Sequence, residues 1–148
     1  MRQAISQLTV EINALSAEVQ RLRKVTERNA QTMELLLSEE RLSKVEDKLQ
    51  ALTDQRSQLA AREQEILRRM RNIPGEMLAR GPVTLRREET EAAIKIDLQR
   101  ALDDVRNLQS SCQQSLAELT VQAERLRARI VVLRAKVDQA ESKSEKDQ

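Results

Sequence analysis

The chain contains no aromatic residue: Phe, Tyr and Trp are all absent from its 148 residues. Aromatic side chains normally supply much of the buried area of a globular core, so their absence argues against an ordinary globule. The chain is nevertheless 39% hydrophobic, mostly Leu, Ile, Val and Ala, which suit the narrow seams between packed helices. With two Gly, two Pro and 34% charged residues, the composition is typical of long helices and coiled coils.

Histidine is also absent, which removes the commonest general base and the commonest metal ligand. The one cysteine, Cys112, cannot form an internal disulfide or a thiolate metal site. Gly75 and Gly81 do not fit the spacing of a phosphate-binding loop. A rod of helices offers carboxylates no concave pocket that excludes water. We therefore expect no enzymatic activity and no cofactor or metal.

No run of the sequence approaches the roughly 20 apolar residues that a membrane-spanning helix needs. The N-terminus lacks the apolar block and cleavage site of a signal peptide, so we expect a cytoplasmic protein. The net charge is +2, which by itself implies no polyanionic partner.

Apolar residues recur through the first part of the chain at alternating spacings of three and four. This is the a/d pattern of heptad repeats in a coiled coil, and it includes Ile5, Leu8, Ile12, Leu15, Val19, Leu22, Met33 and Leu36. The phase breaks at residues 35–37, where three leucines cover much of the helix circumference. A second register then runs from Leu42 to Ile73, with Arg56 and Glu63 at two of its core positions.

The second half keeps a single heptad frame for longer, with Gln109 as its polar exception. The frame includes Leu98, Leu102, Val105, Cys112, Leu116, Leu119, Ala123, Leu126, Ile130, Leu133, Val137 and Ala140. All the Gly and Pro residues lie between the two halves, at positions 74, 75, 81 and 82. Proline interrupts a helix and glycine closes its C-terminus.

These patterns predict one all-α domain over residues 1–148. Helix one covers about residues 3–72, a Pro/Gly turn about 73–83, helix two about 84–142 with Thr84 as N-cap, and a frayed tail 143–148. Two arms of similar length favour an antiparallel two-helix coiled-coil hairpin, in which residues whose numbers sum to about 156 lie side by side. The alternative is a parallel homodimer swivelled at residues 72–84, in which Cys112 meets its own copy.

Several stretches are apolar around more of the helix than one seam requires, which implies more than one neighbouring helix. We therefore expect a homodimer in which two hairpins pack as a four-helix bundle.

Two groups of residues are candidate binding sites. The apolar tip would anchor a protein partner or simply close the end of the hairpin core, and it consists of Ile73, Met77, Leu78 and Val83. The basic belt would dock a polyanion, either nucleic acid or an anionic membrane, or form a solvated face. Its members are Arg21, Arg23, Lys24, Arg28, Arg125, Arg127, Arg129, Arg134 and Lys136.

The sequence thus predicts a non-catalytic structural or interaction protein that acts as a rigid spacer, scaffold or assembly factor, with itself and an unidentified protein as partners. A polyanion-binding module and a small helical-hairpin chaperone are the alternatives.

Overall fold

The computed structural model describes residues 1–81 and 86–146, and this part of the chain folds into three helices without a strand. Helix α1 spans Arg2–Arg71, α2 spans Ile73–Ala79 and α3 spans Arg87–Lys146. The prediction of an all-helical protein built on two long helices is confirmed. Pro82, Val83 and Thr84, which we assigned to the turn and to the start of helix two, lie outside the described residues.

The segment predicted as an open turn over residues 73–83 contains the short helix α2. Asn72 is its N-cap, and the side chain accepts a hydrogen bond from the backbone N–H of Gly75 at 3.3 Å. Pro74 is tolerated because it lies in the first turn, where a backbone N–H has no helical acceptor. The left-handed glycine is Gly81, with φ of 100°, and its N–H donates to the carbonyl oxygen of Leu78 at 3.2 Å.

The chain divides into two compact units, one formed by the two end sections of the sequence and the other by its middle section. Unit 1 consists of Met1–Lys44 and Glu124–Gln148, and unit 2 consists of Val45–Ala123. Each unit therefore contains a section of α1 and a section of α3.

Unit 2 has an apolar core at positions that the heptad spacing marks on both long helices. The buried side chains are Leu59, Ile66, Ile73, Met77, Ile94, Leu98, Leu102, Val105 and Cys112. Ile94 is fully buried although it lies outside the heptad frame assigned to the second half. The second register of α1 is therefore the face that packs against the rest of this unit.

Polar contacts show which residues of α1 and α3 are neighbours in unit 2. Glu63 accepts hydrogen bonds from Arg106 Nε at 3.0 Å and from Gln109 Nε2 at 2.9 Å. Further back along α1, the carbonyl oxygen of Leu52 lies 3.4 Å from Cys112 Sγ. As residue numbers rise along α1, those of the contacting residues fall along α3.

This register differs from the predicted one. Glu63 was expected beside residue 93, and Arg68 and Arg69 were expected to face Glu88 and Glu89. Arg68 instead pairs with Glu65, and Arg69 pairs with Glu76 of α2 at 2.6 Å. The shift arises because α2 lengthens the connection, so that a later part of α3 lies beside each part of α1.

In unit 1, α3 again packs against α1, and its buried side chains are Ile130, Leu133 and Val137. Ion pairs that join the two helices include Arg28 with Glu141 at 3.5 Å, Arg134 with Glu39 at 2.6 Å, and Arg129 with Glu34. These pairs fix which part of α3 lies beside residues 28–39 of α1.

Candidate functional site

The first heptad register of α1 is exposed along its whole length, although its spacing is that of a buried seam. Its apolar side chains are each between 49% and 66% exposed: Ile5, Leu8, Ile12, Leu15, Val19, Leu22, Met33 and Leu36. We call this row the first-register stripe. A contiguous apolar surface of this kind commonly marks an interaction site.

Helix α3 does not cover this stripe where the two run side by side. The residues of α1 that lose exposure in unit 1 are Arg28, Gln31, Glu34, Leu35, Ser38, Glu39 and Leu42. Residues 28, 31, 35, 38 and 42 follow their own spacing of three and four, and Glu34 and Glu39 are the carboxylates that pair with Arg129 and Arg134. At 3.6 residues per turn, Leu35 and Ser38 lie on roughly the opposite side of α1 from Met33 and Leu36. The two registers therefore occupy two different faces of one helix.

At residues 35–37, where the heptad phase breaks, α1 has leucines on both of these faces. Leu35 is half-buried, whereas Leu36 and Leu37 are exposed. The covered face belongs to the second register. We predicted that this register begins at Leu42, and in the structure it begins at Arg28. The sequence contains this signal, since residues 28, 31, 35 and 38 keep the heptad spacing. Three of them, Arg28, Gln31 and Ser38, are polar, so the row is not apparent from apolar residues alone.

The N-terminal part of the stripe has no neighbouring α3. Arg28 pairs with Glu141, and α3 ends at Lys146, so its last residue lies near the level of Arg23. The section of α1 before that level is about 30 Å long at 1.5 Å per residue. Among the described residues of unit 1, nothing shields the six apolar side chains from Ile5 to Leu22.

The basic belt does not form as predicted. Arg129 and Arg134 lie at the level of Glu34 and Glu39, which they bind, and not at the level of Arg21, Arg23 and Lys24. Arg129 and Arg134 are therefore displaced along α1 by about 15 Å or more from Arg21, Arg23 and Lys24.

Several of these cations also bind carboxylates of the same chain, which neutralise part of the local charge. Arg21 pairs with Glu18 at 2.7 Å, and Arg28 pairs with Glu141. Arg23, Lys24, Arg125, Arg127 and Lys136 are exposed.

The apolar tip is mostly part of the core. Ile73 and Met77 are buried in the cluster of unit 2, so their side chains are not available to an external partner. Leu78 is 82% exposed, and Val83 lies outside the described residues. Of the residues that were predicted either to anchor a partner or to close the end of the core, Ile73 and Met77 therefore belong to the core.

The polar residues of the second register have different environments. Arg56 is exposed, whereas Glu63 is half-buried and binds Arg106 and Gln109. Hydrogen bonds from Gln109 and Arg106 lower the pKa of Glu63 below its ordinary value. Cys112 is buried and belongs to the core, with its thiol directed at the backbone of Leu52.

The described residues contain no cluster of three His, Cys, Asp or Glu side chains that could hold a metal ion. Within the same residues, no helix has a long enough apolar stretch to cross a bilayer. Compared with protein-family models, curated proteins and solved structures, the chain matches none of them. The chain's own surfaces are therefore the basis on which a function can be proposed.

Proposed function

We propose that this chain is a non-catalytic interaction protein, a helical scaffold or spacer that binds its partners along the first-register stripe of α1. The observation that supports this function is the position of the stripe: it lies on the face of α1 that α3 leaves uncovered. A helix needs only one apolar face to pack against a single neighbour. A second apolar face with its own heptad spacing indicates a second neighbour.

The packed part of α1 prepares the uncovered part for binding. Forming the first turn of an isolated helix is unfavourable, and short isolated helices are marginal in water. Residues 2–22 continue a helix that α3 already holds at Arg28, Glu34 and Glu39, so they avoid that nucleation step. A partner would meet a surface that is already ordered, which reduces the entropy lost on binding.

In this proposal the two long helices form an antiparallel coiled-coil hairpin within one chain. The contacts of Leu52 with Cys112 and of Glu63 with Arg106 support it, as do the ion pairs of unit 1. The hairpin would act as a rigid support, and the stripe would select the partner. Assembly of two hairpins into a four-helix bundle is not needed to cover the stripe.

A photo-crosslinking amino acid in place of Leu15 tests the proposed function. Leu15 lies in the stripe, and Asn13 is exposed on another side of the same turn, so Asn13 is the matched control position. In a native extract that contains the full chain, we expect protein adducts from position 15 and none from position 13. Equal adducts from both positions, or none from position 15, would contradict an interaction function for the stripe.

Polyanion binding is the weaker candidate, because Arg21, Arg28, Arg129 and Arg134 pair with carboxylates of the chain. A polyanion would have to displace these carboxylates, and its affinity would fall steeply with salt. Replacing Arg125, Arg127 and Arg129 together by Glu discriminates the two functions. We expect the wild-type chain to bind a DNA duplex weakly. We expect the triple variant to keep the photo-crosslinked adducts from position 15.

A further inference from the structure

We propose that residues 4–25 of α1 pair with the same residues of a second copy of this chain, as a parallel two-stranded coiled coil. This inference rests on the proposed function, because it names the partner of the first-register stripe. Three observations support it: the residue types in the stripe, the charges beside it and the position of α3.

The residue types differ systematically between the two core positions. With Ile5 at an a position, the a residues are Ile5, Ile12 and Val19, and the d residues are Leu8, Leu15 and Leu22. Within residues 4–25, every a residue is thus β-branched and every d residue is leucine. In parallel coiled coils this combination favours two strands, whereas Ile at both positions or Leu at a with Ile at d favours three or four. A surface adapted to an unrelated protein would not need this alternation.

The flanking charges favour the parallel orientation. In a parallel pair, a g residue faces the e residue five positions later in the other helix. Glu18 at g therefore faces Arg23 at e of the second copy, and the symmetry of the dimer repeats this attraction. Both side chains are exposed in the single chain. Glu18 pairs with Arg21 of its own helix and would exchange this exposed contact for Arg23 of the second copy.

The antiparallel orientation places like charges together. When two stripes overlap fully in opposite directions, g residues face g residues and e residues face e residues. Glu11 then faces Glu18 of the second copy, and Arg2 faces Arg23. Each of these repulsions occurs twice in a symmetric pair, and like-charge contacts are a common means of excluding a wrong arrangement.

Helix α3 does not obstruct this pairing in unit 1. The face that it covers, marked by Leu35 and Ser38, lies roughly opposite the stripe. Two copies could therefore align their stripes while each keeps its own α3 on the outer side. The polar residues Thr26 and Asn29 take the next a and d positions, so the continuous apolar seam ends near residue 25.

Sedimentation of the full chain over a range of concentrations, detected by interference because Trp and Tyr are absent, measures this pairing. We expect the wild-type chain to form dimers. The double variant Ile12→Lys/Leu15→Lys should weaken self-association at least about a hundredfold, since it places charges in two buried layers. Val10→Lys is the matched control, because Val10 is 65% exposed at an f position and should leave the dimer intact.

Circular dichroism shows whether the Lys variants keep the helix content of the wild type, so that loss of the dimer is separated from loss of folding. A wild-type chain that stays monomeric at all concentrations, or a double variant that dimerises as the wild type does, would overturn the inference. In either case adducts from position 15 to another protein would leave the proposed interaction function standing.

Disulfide formation tests the orientation, in a Cys112→Ala background. Leu8→Cys should oxidise to a covalent dimer, because position 8 meets its own copy only in the parallel arrangement. Val10→Cys is the control, and it should form no covalent dimer under the same conditions. A covalent dimer formed between Leu8→Cys and Val19→Cys chains, with none from Leu8→Cys alone, would show an antiparallel pair and overturn the proposal.

Discussion

The two heptad registers of α1 have the same spacing and opposite environments. In the second register Val45, Leu59 and Ile66 are buried, whereas in the first Ile5, Ile12 and Leu15 are mostly exposed. Heptad spacing alone therefore identifies an apolar face of a helix. It does not show whether that face packs within the same chain or against another molecule. The second register packs within the chain, and we propose that the first packs against a second copy.

The largest difference should be seen when one residue is replaced in the core against which the second register packs and one residue is replaced in the stripe. Ile94 is 0% exposed in the core of unit 2, and Ile12 is 62% exposed in the stripe. Ile94→Ala should lower the free energy of unfolding by about 2–5 kcal/mol, because it leaves a cavity. At a protein concentration low enough to prevent association, Ile12→Ala should change it by less than about 0.5 kcal/mol.

Urea unfolding followed by circular dichroism measures both values. If Ile12→Ala destabilised the dilute chain as much as Ile94→Ala, the stripe would be covered within the chain, and the contrast between the registers would not hold.

A smaller effect should follow from removing the cap that joins α1 to α2. Asn72→Ala removes the side chain that accepts from the backbone of Gly75, and loss of such a cap lowers stability by about 1 kcal/mol. Asn29→Ala is the control, since Asn29 lies inside α1 and is exposed. Thermal unfolding should show a lower midpoint for Asn72→Ala alone; an equal loss in both variants would contradict the capping role.

The covered seam should also respond to acid through Glu63. Its pKa is lowered from 4.5 by hydrogen bonds from Gln109 and Arg106, so the folded state favours the charged carboxylate. The resulting stabilisation is complete above the unfolded-state value and is lost as the pH falls below it. Glu63→Gln should flatten the pH dependence of unfolding in this acidic range.

Glu11→Gln, in the section of α1 that has no α3 beside it, is the matched control for Glu63→Gln. Urea midpoints measured between pH 3 and pH 7 compare the two variants. A profile that changes equally in both would mean that the seam contacts of Glu63 contribute nothing to the acid response.

The smallest effects are expected at the ion pairs. Arg134→Ala breaks the exposed pair with Glu39, and such pairs contribute about 0–1 kcal/mol. Arg21→Ala, which breaks a pair within one turn of the stripe section, should have a similar small effect. A loss above about 2 kcal/mol for Arg134→Ala would show that unit 1 depends on ion pairing more than on its apolar contacts.

Much of the fold could be predicted because helix and seam depend on local spacing. Leu98, Leu102, Val105 and Cys112 were assigned to the core of helix two, and all are buried. The connection was harder, because Pro74 interrupts a helix in most positions but is compatible with its first turn. Recognising Asn72 as the cap would have predicted α2 and moved the register of α3.

The candidate sites could be predicted less well, because they depend on that register. The predicted connection between the two long helices was too short. The prediction therefore placed Arg129 and Arg134 beside the wrong residues of α1, which suggested the basic belt. For Ile73 and Met77 the sequence allows either a partner anchor or closure of the core end, because it does not show that residues 73–79 form a helix that buries both side chains. The two faces of α1 can be distinguished only in the structure, where α3 half-buries Leu35 and leaves Leu36 and Leu37 exposed.

The arrangement on which both proposals depend is that α3 lies beside the covered face of α1 and ends before it reaches the level of the stripe residues Ile5 to Leu22. Intramolecular cross-linking of paired cysteines with a short bis-maleimide, in a dilute Cys112→Ala background, tests it most directly. The account predicts that Arg28→Cys/Glu141→Cys is cross-linked within one chain, as the ion pair between these residues requires, and that Leu15→Cys/Glu141→Cys is not. An efficient cross-link between positions 15 and 141 within a monomer would place α3 against the stripe and contradict the account.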